Sequence, residues 1–338
     1  MTALPAGVLE ELDGGPILPR PVPPRAMAWP LAMAGATVVA ASRPRLWVFA
    51  LLAFLARGGL VALVVPMLVL PTFVGLSNTV GPTSVTAAGP TPRLIAMVAT
   101  WLGMALGAIV GGTLIAAAAE VALYRATVAP GADKAKSGFL SGLIAASARA
   151  SRPTATRVAT VRLVLLLPVA IALAAAVPAW VQVAYRELLL PTDLAVPLPV
   201  RVIAGAPIPS AVVVAAWLAA EVLGGLAARR IALRGSSVAG ALRAGLGDVA
   251  RAPVSAFLTL IVAIGGTLLL LGPTVVVVGI AWDHARIALI DGTDAAGIIM
   301  GTLVLAAVWA GCLVVAGIAA AWRSVLWTAE LARRAAGA

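Results

Sequence analysis

Six apolar stretches divide the chain, and shorter segments rich in arginine, glycine and proline separate them. These stretches cover about residues 46–71, 94–124, 163–185, 208–228, 254–282 and 296–327. A helix rises 1.5 Å per residue, so each stretch is long enough to cross the roughly 30 Å of hydrocarbon in a bilayer. The pattern therefore predicts an all-α integral membrane protein with six transmembrane helices.

The segments that lead into the odd-numbered stretches resemble one another. The strings "TVVAASRP" (37–44), "LIAASARASRP" (143–153) and "RAGLGDVARAP" (243–253) each join small residues and arginines to a proline. Such recurrence at a fixed spacing is the signature of an internal repeat.

The returning helices carry charged residues at the same spacing. Glu120 and Glu221 are 101 residues apart, and Arg323 follows 102 residues later. We therefore predict three repeated helical hairpins of about 100 residues each. They form a single six-helix membrane domain over residues 31–335, with repeats at about 31–130, 131–235 and 236–335.

Residues 1–30 differ from the rest of the chain, with seven prolines and three acidic residues. They lack the compact basic and then apolar pattern of a secretory signal. We expect a Pro-rich cytoplasmic tail.

The recurring segment has the pattern of an amphipathic helix. In the third copy, Val238, Leu242, Leu246 and Val249 fall on one helical face, and arginines lie elsewhere. This pattern predicts cytoplasmic interface helices whose arginines reach anionic lipid head groups. The candidate arginines are Arg149, Arg152, Arg243 and Arg251. The alternative is an elbow that only orients the next span.

The charge distribution sets the expected orientation. Hydrophobic residues make up 62% of the chain and charged residues 11%, with a net charge of +11. If the N-terminus is cytoplasmic, 19 of the 24 lysines and arginines lie in cytoplasmic segments, and the outer loops hold four. By the positive-inside rule, we expect a multi-pass protein of the cell membrane with both termini cytoplasmic. The positive charge then points to anionic lipid head groups as partners, and not to nucleic acid.

Two of the predicted helices carry small residues at four-residue spacing. In the second helix these are Gly103, Gly107 and Gly111, and in the fourth they are Ala216, Ala220 and Gly224. Small residues allow transmembrane helices to approach closely. We expect these two helices to lie centrally in the bundle. The alternative is a homo-oligomer seam.

Arg57 is the most informative charge, because it lies about eleven residues, or about 16 Å, into its apolar stretch. An arginine at the centre of a span costs about 3 kcal/mol on insertion scales, so it needs protein, water or a partner. Glu120 and Glu221 are the candidate partners. Together the three residues predict a polar site near the cytoplasmic leaflet, able to receive a zwitterionic or anionic head group, or else a structural ion pair.

Several chemistries find no support in the sequence. The one histidine, His284, lies in a predicted outer loop, and the one cysteine, Cys312, lies in an apolar stretch. Histidine-ligated haem, a serine–histidine protease and a cysteine metal site are therefore disfavoured. The chain also contains no nucleotide-binding P-loop or HExxH zinc motif. We expect no cofactor, no metal and no enzyme activity.

The string "GSSVAGALRAGL" (235–246) has the pattern G-x2-V-x3-L-x3-L, which a basic residue, a proline and a span then follow. Repeated with two-helix hairpins, this combination resembles the membrane domain of bacterial glycerophosphodiester phosphodiesterases and related multi-pass membrane proteins, over residues 30–335. The resemblance implies a bacterial plasma membrane. Catalysis in those enzymes belongs to a separate soluble domain, which we do not expect in these 338 residues, so no catalytic residue is transferred.

These observations favour a non-catalytic membrane protein, either an accessory or scaffold subunit with a membrane-protein partner, or a lipid-associated module. The alternative is a transporter or lipid-handling protein that uses Arg57, Glu120 and Glu221.

Overall fold

The computed structural model describes residues 28–67, 85–86, 89–128, 152–193, 195–290 and 295–336. This part of the chain is almost entirely helical. It also contains two strands of two residues each, β1 (Val85–Thr86) and β2 (Gly89–Pro90), which pair with each other in antiparallel orientation.

Ten α-helices form the described part of the chain. They are α1 (Trp29–Ser42), α2 (Pro44–Phe54), α3 (Leu60–Val64), α4 (Pro92–Val128), α5 (Arg152–Leu189), α6 (Leu198–Gly205), α7 (Pro207–Arg234), α8 (Val238–Arg251), α9 (Pro253–Ile290) and α10 (Ala295–Ala336). A π-helical turn, Leu55–Gly59, joins α2 to α3, and a 3-10 turn, Val65–Met67, follows α3.

Six helical segments are long and apolar enough to cross a membrane, which confirms the six predicted spans. The first span is Pro44–Met67, and α4, α5, α7, α9 and α10 provide the second to the sixth. These features are consistent with a multi-pass membrane protein.

Prolines set the sharp bends between consecutive helices. Arg43, Ala206 and Ala252 each stand before a proline and have φ between −140° and −123° and ψ between 62° and 79°. A residue before proline is sterically driven out of the helical region, so one helix ends there and the proline starts the next.

The first span is broken near its middle. Gly58 has φ +97°, a left-handed conformation that glycine adopts without steric cost, and Arg57 before it has φ −89° and ψ 15°. The helix changes direction at this point. A charged side chain therefore lies at a break in a membrane-spanning segment.

Going around the bundle, the spans pack side by side in the order fifth, sixth, first, second, third and fourth. The fifth span packs against the sixth, the sixth against the first, the first against the second, the second against the third and the third against the fourth. The fourth and fifth spans have few or no contacts with each other in the described part of the chain. The described part of the bundle is therefore open between α7 and α9.

Both ends of the described chain lie on one side of the bundle, since Trp29 donates to Thr259 and Arg334 donates to the carbonyl of Ala252. We call this side the terminal half and the opposite side the distal half. The main hydrophobic core lies in the terminal half, where all six spans, α1 and α8 meet around side chains such as Leu226 and Trp327.

The distal half is more loosely packed. In α4, every residue from 95 to 110 is exposed. We expected the second helix to lie centrally in the bundle. Only the part of α4 in the terminal half does so, because the distal part of α4 has no described helix beside it.

Candidate functional site

Five charged side chains form an alternating chain through the middle of the bundle. Arg57 donates from Nη1 to Glu120 Oε1 at 2.9 Å and from Nη2 to Glu221 Oε2 at 3.2 Å. Arg162 donates from Nε and Nη2 to Glu120 at 3.1 to 3.3 Å, and Arg323 donates from Nη2 to Glu221 Oε1. Each carboxylate is therefore held by two guanidinium groups, and Arg57 bridges them.

The local structure explains how these side chains meet. Arg57 lies at the break in the first span, and Gly112 lets α4 approach that break closely. A Cβ atom on Gly112 would lie 2.3 Å from the carbonyl oxygen of Ala56. Two helical turns further along α4, Glu120 then faces the guanidinium group of Arg57.

Exposure divides the charged side chains into two groups. The side chains of Glu120, Glu221 and Arg162 are 6%, 8% and 9% exposed, whereas those of Arg57 and Arg323 are 33% and 23% exposed. Glu120, Glu221 and Arg162 are therefore buried inside the bundle. Arg57 and Arg323 keep accessible surface and are the charged groups that a ligand can reach.

A fourth guanidinium group, that of Arg229, lies below this chain on the terminal side. It stacks on the ring of Tyr124 at 4.4 Å from the ring centre. It donates to neutral acceptors only among the described residues, namely Thr328, the carbonyl of Gly225, and both the carbonyl and the hydroxyl of Ser324. Arg229 is therefore a buried positive charge that forms no direct ion pair among the described residues.

These side chains surround a cavity of about 200 Å³ to which all six spans contribute. The terminal side is closed by buried residues, including Tyr124 and Trp327. Exposure rises in the opposite direction along α7, from buried Arg229 to Trp217, which is 42% exposed. The cavity is therefore closed on the terminal side and more exposed toward the distal half, where Trp217 of α7 lies.

The sequence analysis named Arg57, Glu120 and Glu221 as one candidate site, and the structure brings these three residues together. Sequence reasoning missed Arg162, Arg229 and Arg323 as members of the site. It treated all three as charges of cytoplasmic segments. The 102-residue spacing between Glu221 and Arg323 was the available signal for Arg323.

The expected packing residues of the second helix differ from the observed ones. A Cβ atom on Gly103, Gly107 or Gly111 would meet no described atom within 4 Å. The physical reason is that these glycines lie on the outward side of α4, whereas Gly112 faces the first span.

In the fourth helix, Gly224 does lie at a helix contact, because a Cβ atom there would lie 2.6 Å from Nη1 of Arg162. Ala216 and Ala220 are only partly buried. Gly224 thus makes room for a guanidinium group of the charged chain.

The predicted interface arginines have different positions. Arg149 lies outside the described residues. Arg152 begins α5, and Arg243 and Arg251 are on α8; all three are exposed. The helix α8 is capped by Ser237, which accepts from the amide of Gly240.

The apolar face of α8 is shared between the bundle and its surroundings. Val238, Leu242 and Val249 pack against the core, whereas Leu246 is 61% exposed. Arg334 donates to the carbonyls of Asp248 and Ala252, which anchors the end of α8 to α10. These contacts hold α8 against the bundle.

The site offers hydrogen-bond donors and an excess of positive charge among the described residues. Within the described residues, no group of three or more histidine, cysteine or acidic side chains is arranged to hold a metal ion. The described side chains around the cavity include neither histidine nor cysteine. The arrangement can therefore bind and orient an anionic group.

We compared the chain with models of known protein families, with curated proteins and with solved structures, and it matches none of them.

Proposed function

We propose that this chain is a non-catalytic multi-pass membrane protein, a lipid-associated module that receives the polar head group of a lipid in its charged cavity. The observation that carries the proposal is the pair of accessible guanidinium groups, Arg57 and Arg323, within a buried network of charges. A charged group inside a span is costly unless it is paired or serves a site. Here the carboxylates are fully engaged, while the two arginines retain surface for a ligand.

The open side of the bundle supports a lipid as the ligand. Where α7 and α9 have few or no contacts, the cavity is lined by Trp217 from α7 and by Thr267 and Leu271 from α9, so this part of its wall is largely apolar. A lipid could enter there with its acyl chains in the bilayer and its head group at the charges. A soluble ligand has no need of an apolar entrance.

We infer that the site arises from a threefold internal repeat of helical hairpins, at about 31–130, 131–235 and 236–335. Both α1 and α8 have 14 residues and end at an extended residue before a proline that starts a span. Glu120, Glu221 and Arg323, which the repeat aligns, all line the cavity. The same pattern supports the proposed resemblance to the membrane domain of bacterial glycerophosphodiester phosphodiesterases.

We also propose that both termini are cytoplasmic and that α8 lies at the membrane interface. The exposed arginines Arg243 and Arg251 and the exposed Leu246 on α8 support this arrangement. In it, the arginines contact anionic head groups on the cytoplasmic face.

Cysteine labelling tests the orientation. In a Cys312→Ser background, a membrane-impermeant maleimide added to whole cells is expected to label the His284→Cys protein. The Arg243→Cys protein is expected to react only after the membrane is permeabilised. Both positions are exposed, so access to the reagent alone decides the result. The reverse pattern would overturn the orientation.

Native mass spectrometry of the protein extracted in mild detergent tests the function. The wild type is expected to retain a lipid, and Arg57→Ala is expected to lose it without loss of folded yield. The Arg57→Ala variant is expected to fold, because Glu120 still pairs with Arg162 and Glu221 still pairs with Arg323. The matched control is Arg286→Ala, which removes a half-exposed arginine from a weak pair with Asp283 and should keep the lipid.

Three outcomes would contradict the proposal. A collapse in the yield of Arg57→Ala would make Arg57 a structural charge. Retention of a stoichiometric protein partner or a second copy, undisturbed by the substitution, would favour an accessory or scaffold subunit instead. Retention of a small soluble molecule, lost in the variant, would favour a transporter.

A further inference from the structure

We propose that the group bound in the cavity is a phosphate in its dianionic form, as in a phosphomonoester lipid head group or in inorganic phosphate. This inference rests on the proposed head-group site and names its ligand chemistry. It follows from the balance of charge, the balance of hydrogen-bond donors and acceptors, and the size of the cavity.

The described residues around the cavity carry more positive than negative groups. Four guanidinium groups line the cavity, those of Arg57, Arg162, Arg229 and Arg323, and they face two carboxylates, Glu120 and Glu221. The described lining therefore has an excess of two positive charges. Buried charges are expected to be compensated, and a ligand with two negative charges compensates this excess.

The hydrogen-bonding groups around the cavity also favour a ligand that accepts hydrogen bonds. Among the described residues, Arg323 donates only through Nη2 and Arg57 only through its two Nη atoms. Trp327 lines the cavity, and its buried indole N–H has no described acceptor. These groups are all donors, so a ligand that pairs with them supplies acceptors. A phosphate offers acceptor oxygens in the geometry that guanidinium groups bind well.

The size of the cavity limits the bound group. At about 200 Å³ it is smaller than the roughly 300–1,000 Å³ that is typical of sites for drug-sized ligands. A phosphate-sized group fits, and the remainder of a lipid would have to stay outside.

The positions of the arginines assign their roles. Arg57 and Arg323 have accessible surface and are the contacts to the phosphate. Arg162 and Arg229 are positioning residues, because Arg162 holds Glu120 and Arg229 closes the terminal side against Tyr124. The head group would enter from the open side between α7 and α9.

A comparison of lipids tests this inference with the full-length protein in nanodiscs. One set contains phosphatidylcholine with a small fraction of phosphatidic acid, and the matched set replaces phosphatidic acid with phosphatidylglycerol, which carries a single charge. We expect phosphatidic acid to be retained at least tenfold better. The Arg323→Gln variant should lose about tenfold of this preference, since it loses a charge-assisted hydrogen bond to the phosphate, while Arg286→Gln keeps it. The melting temperature of each variant serves as the folding control. We expect it to be unchanged in Arg323→Gln, because Glu221 still pairs with Arg57.

The outcomes separate this inference from the proposed function. Equal retention of all three lipids, lost in Arg57→Ala, would overturn the phosphate dianion and leave the head-group site in place. Binding of added inorganic phosphate without any lipid preference would support the dianion and overturn the lipid as its source. Retention of neither phosphate nor lipid would overturn both.

Discussion

The Glu120→Gln variant is expected to lose much of its folded yield and thermal stability. Gln keeps the size of the side chain and removes its charge. Arg162, whose side chain is 9% exposed and whose described carboxylate partner is Glu120 alone, would then be a buried charge without compensation. Removal of one member of a buried ion pair costs about 3–5 kcal/mol. Thermal unfolding of the purified full-length protein, followed together with membrane yield, measures the effect.

Two comparisons make this prediction specific. Asp283→Asn is the matched control, because Asp283 is 64% exposed and lies 3.9 Å from Arg286, so its loss should leave the melting temperature unchanged. The double variant Glu120→Gln with Arg162→Met should regain most of the lost stability, since neither charge then remains unpaired there. A double variant as unstable as the single one would show that the charge of Arg162 is not the cause.

The six membrane-length helices were predictable because hydrophobic length is a strong and local signal. Each of the six apolar stretches lies within, or within a few residues of, an observed span. Arg57 stood out for the same reason, as a single charge inside an apolar stretch. Its partners followed from the spacing of Glu120 and Glu221.

Arg162 was missed because the start of its helix lies in mixed sequence. The string "RPTATRVATVR" (152–162) contains three arginines and three threonines among its eleven residues and no long apolar run, so the predicted span began at residue 163. In the structure, α5 begins at Arg152. Helix packing in the terminal half then buries Arg162, and that burial is a property of the bundle and not of the local sequence.

The break in the first span depends on tertiary context as well. The strings "ARGGLVALVVP" (56–66) and "AIGGTLLLLGP" (263–273) carry the same glycine pair, yet the first contains the break and the second continues as regular helix in α9. The first has Arg57 where the second has Ile264. At the break, Arg57 pairs with two glutamates, whereas Ile264 packs against the hydrophobic core.

The Gly112→Ala variant is expected to separate the first two spans and to weaken lipid retention. The new Cβ atom would lie 2.3 Å from the backbone oxygen of Ala56, and backbone cannot move aside as a flexible side chain can. Overpacking of this kind costs about 1–3 kcal/mol. Because Ala56 precedes Arg57, the displacement would also lengthen the contact between Arg57 and Glu120. The melting temperature and the lipid retained in native mass spectrometry measure both effects.

The neighbouring glycine provides a close control for this prediction. A Cβ atom on Gly111 meets no described atom within 4 Å, so Gly111→Ala makes the same chemical change one residue away on a different face of α4. It should leave both the stability of the monomer and the bound lipid unchanged. If Gly111→Ala were the more harmful substitution, the outward glycine face would be a contact surface for another chain, and a homo-oligomer seam would replace the contact between the first two spans as the main role of these glycines.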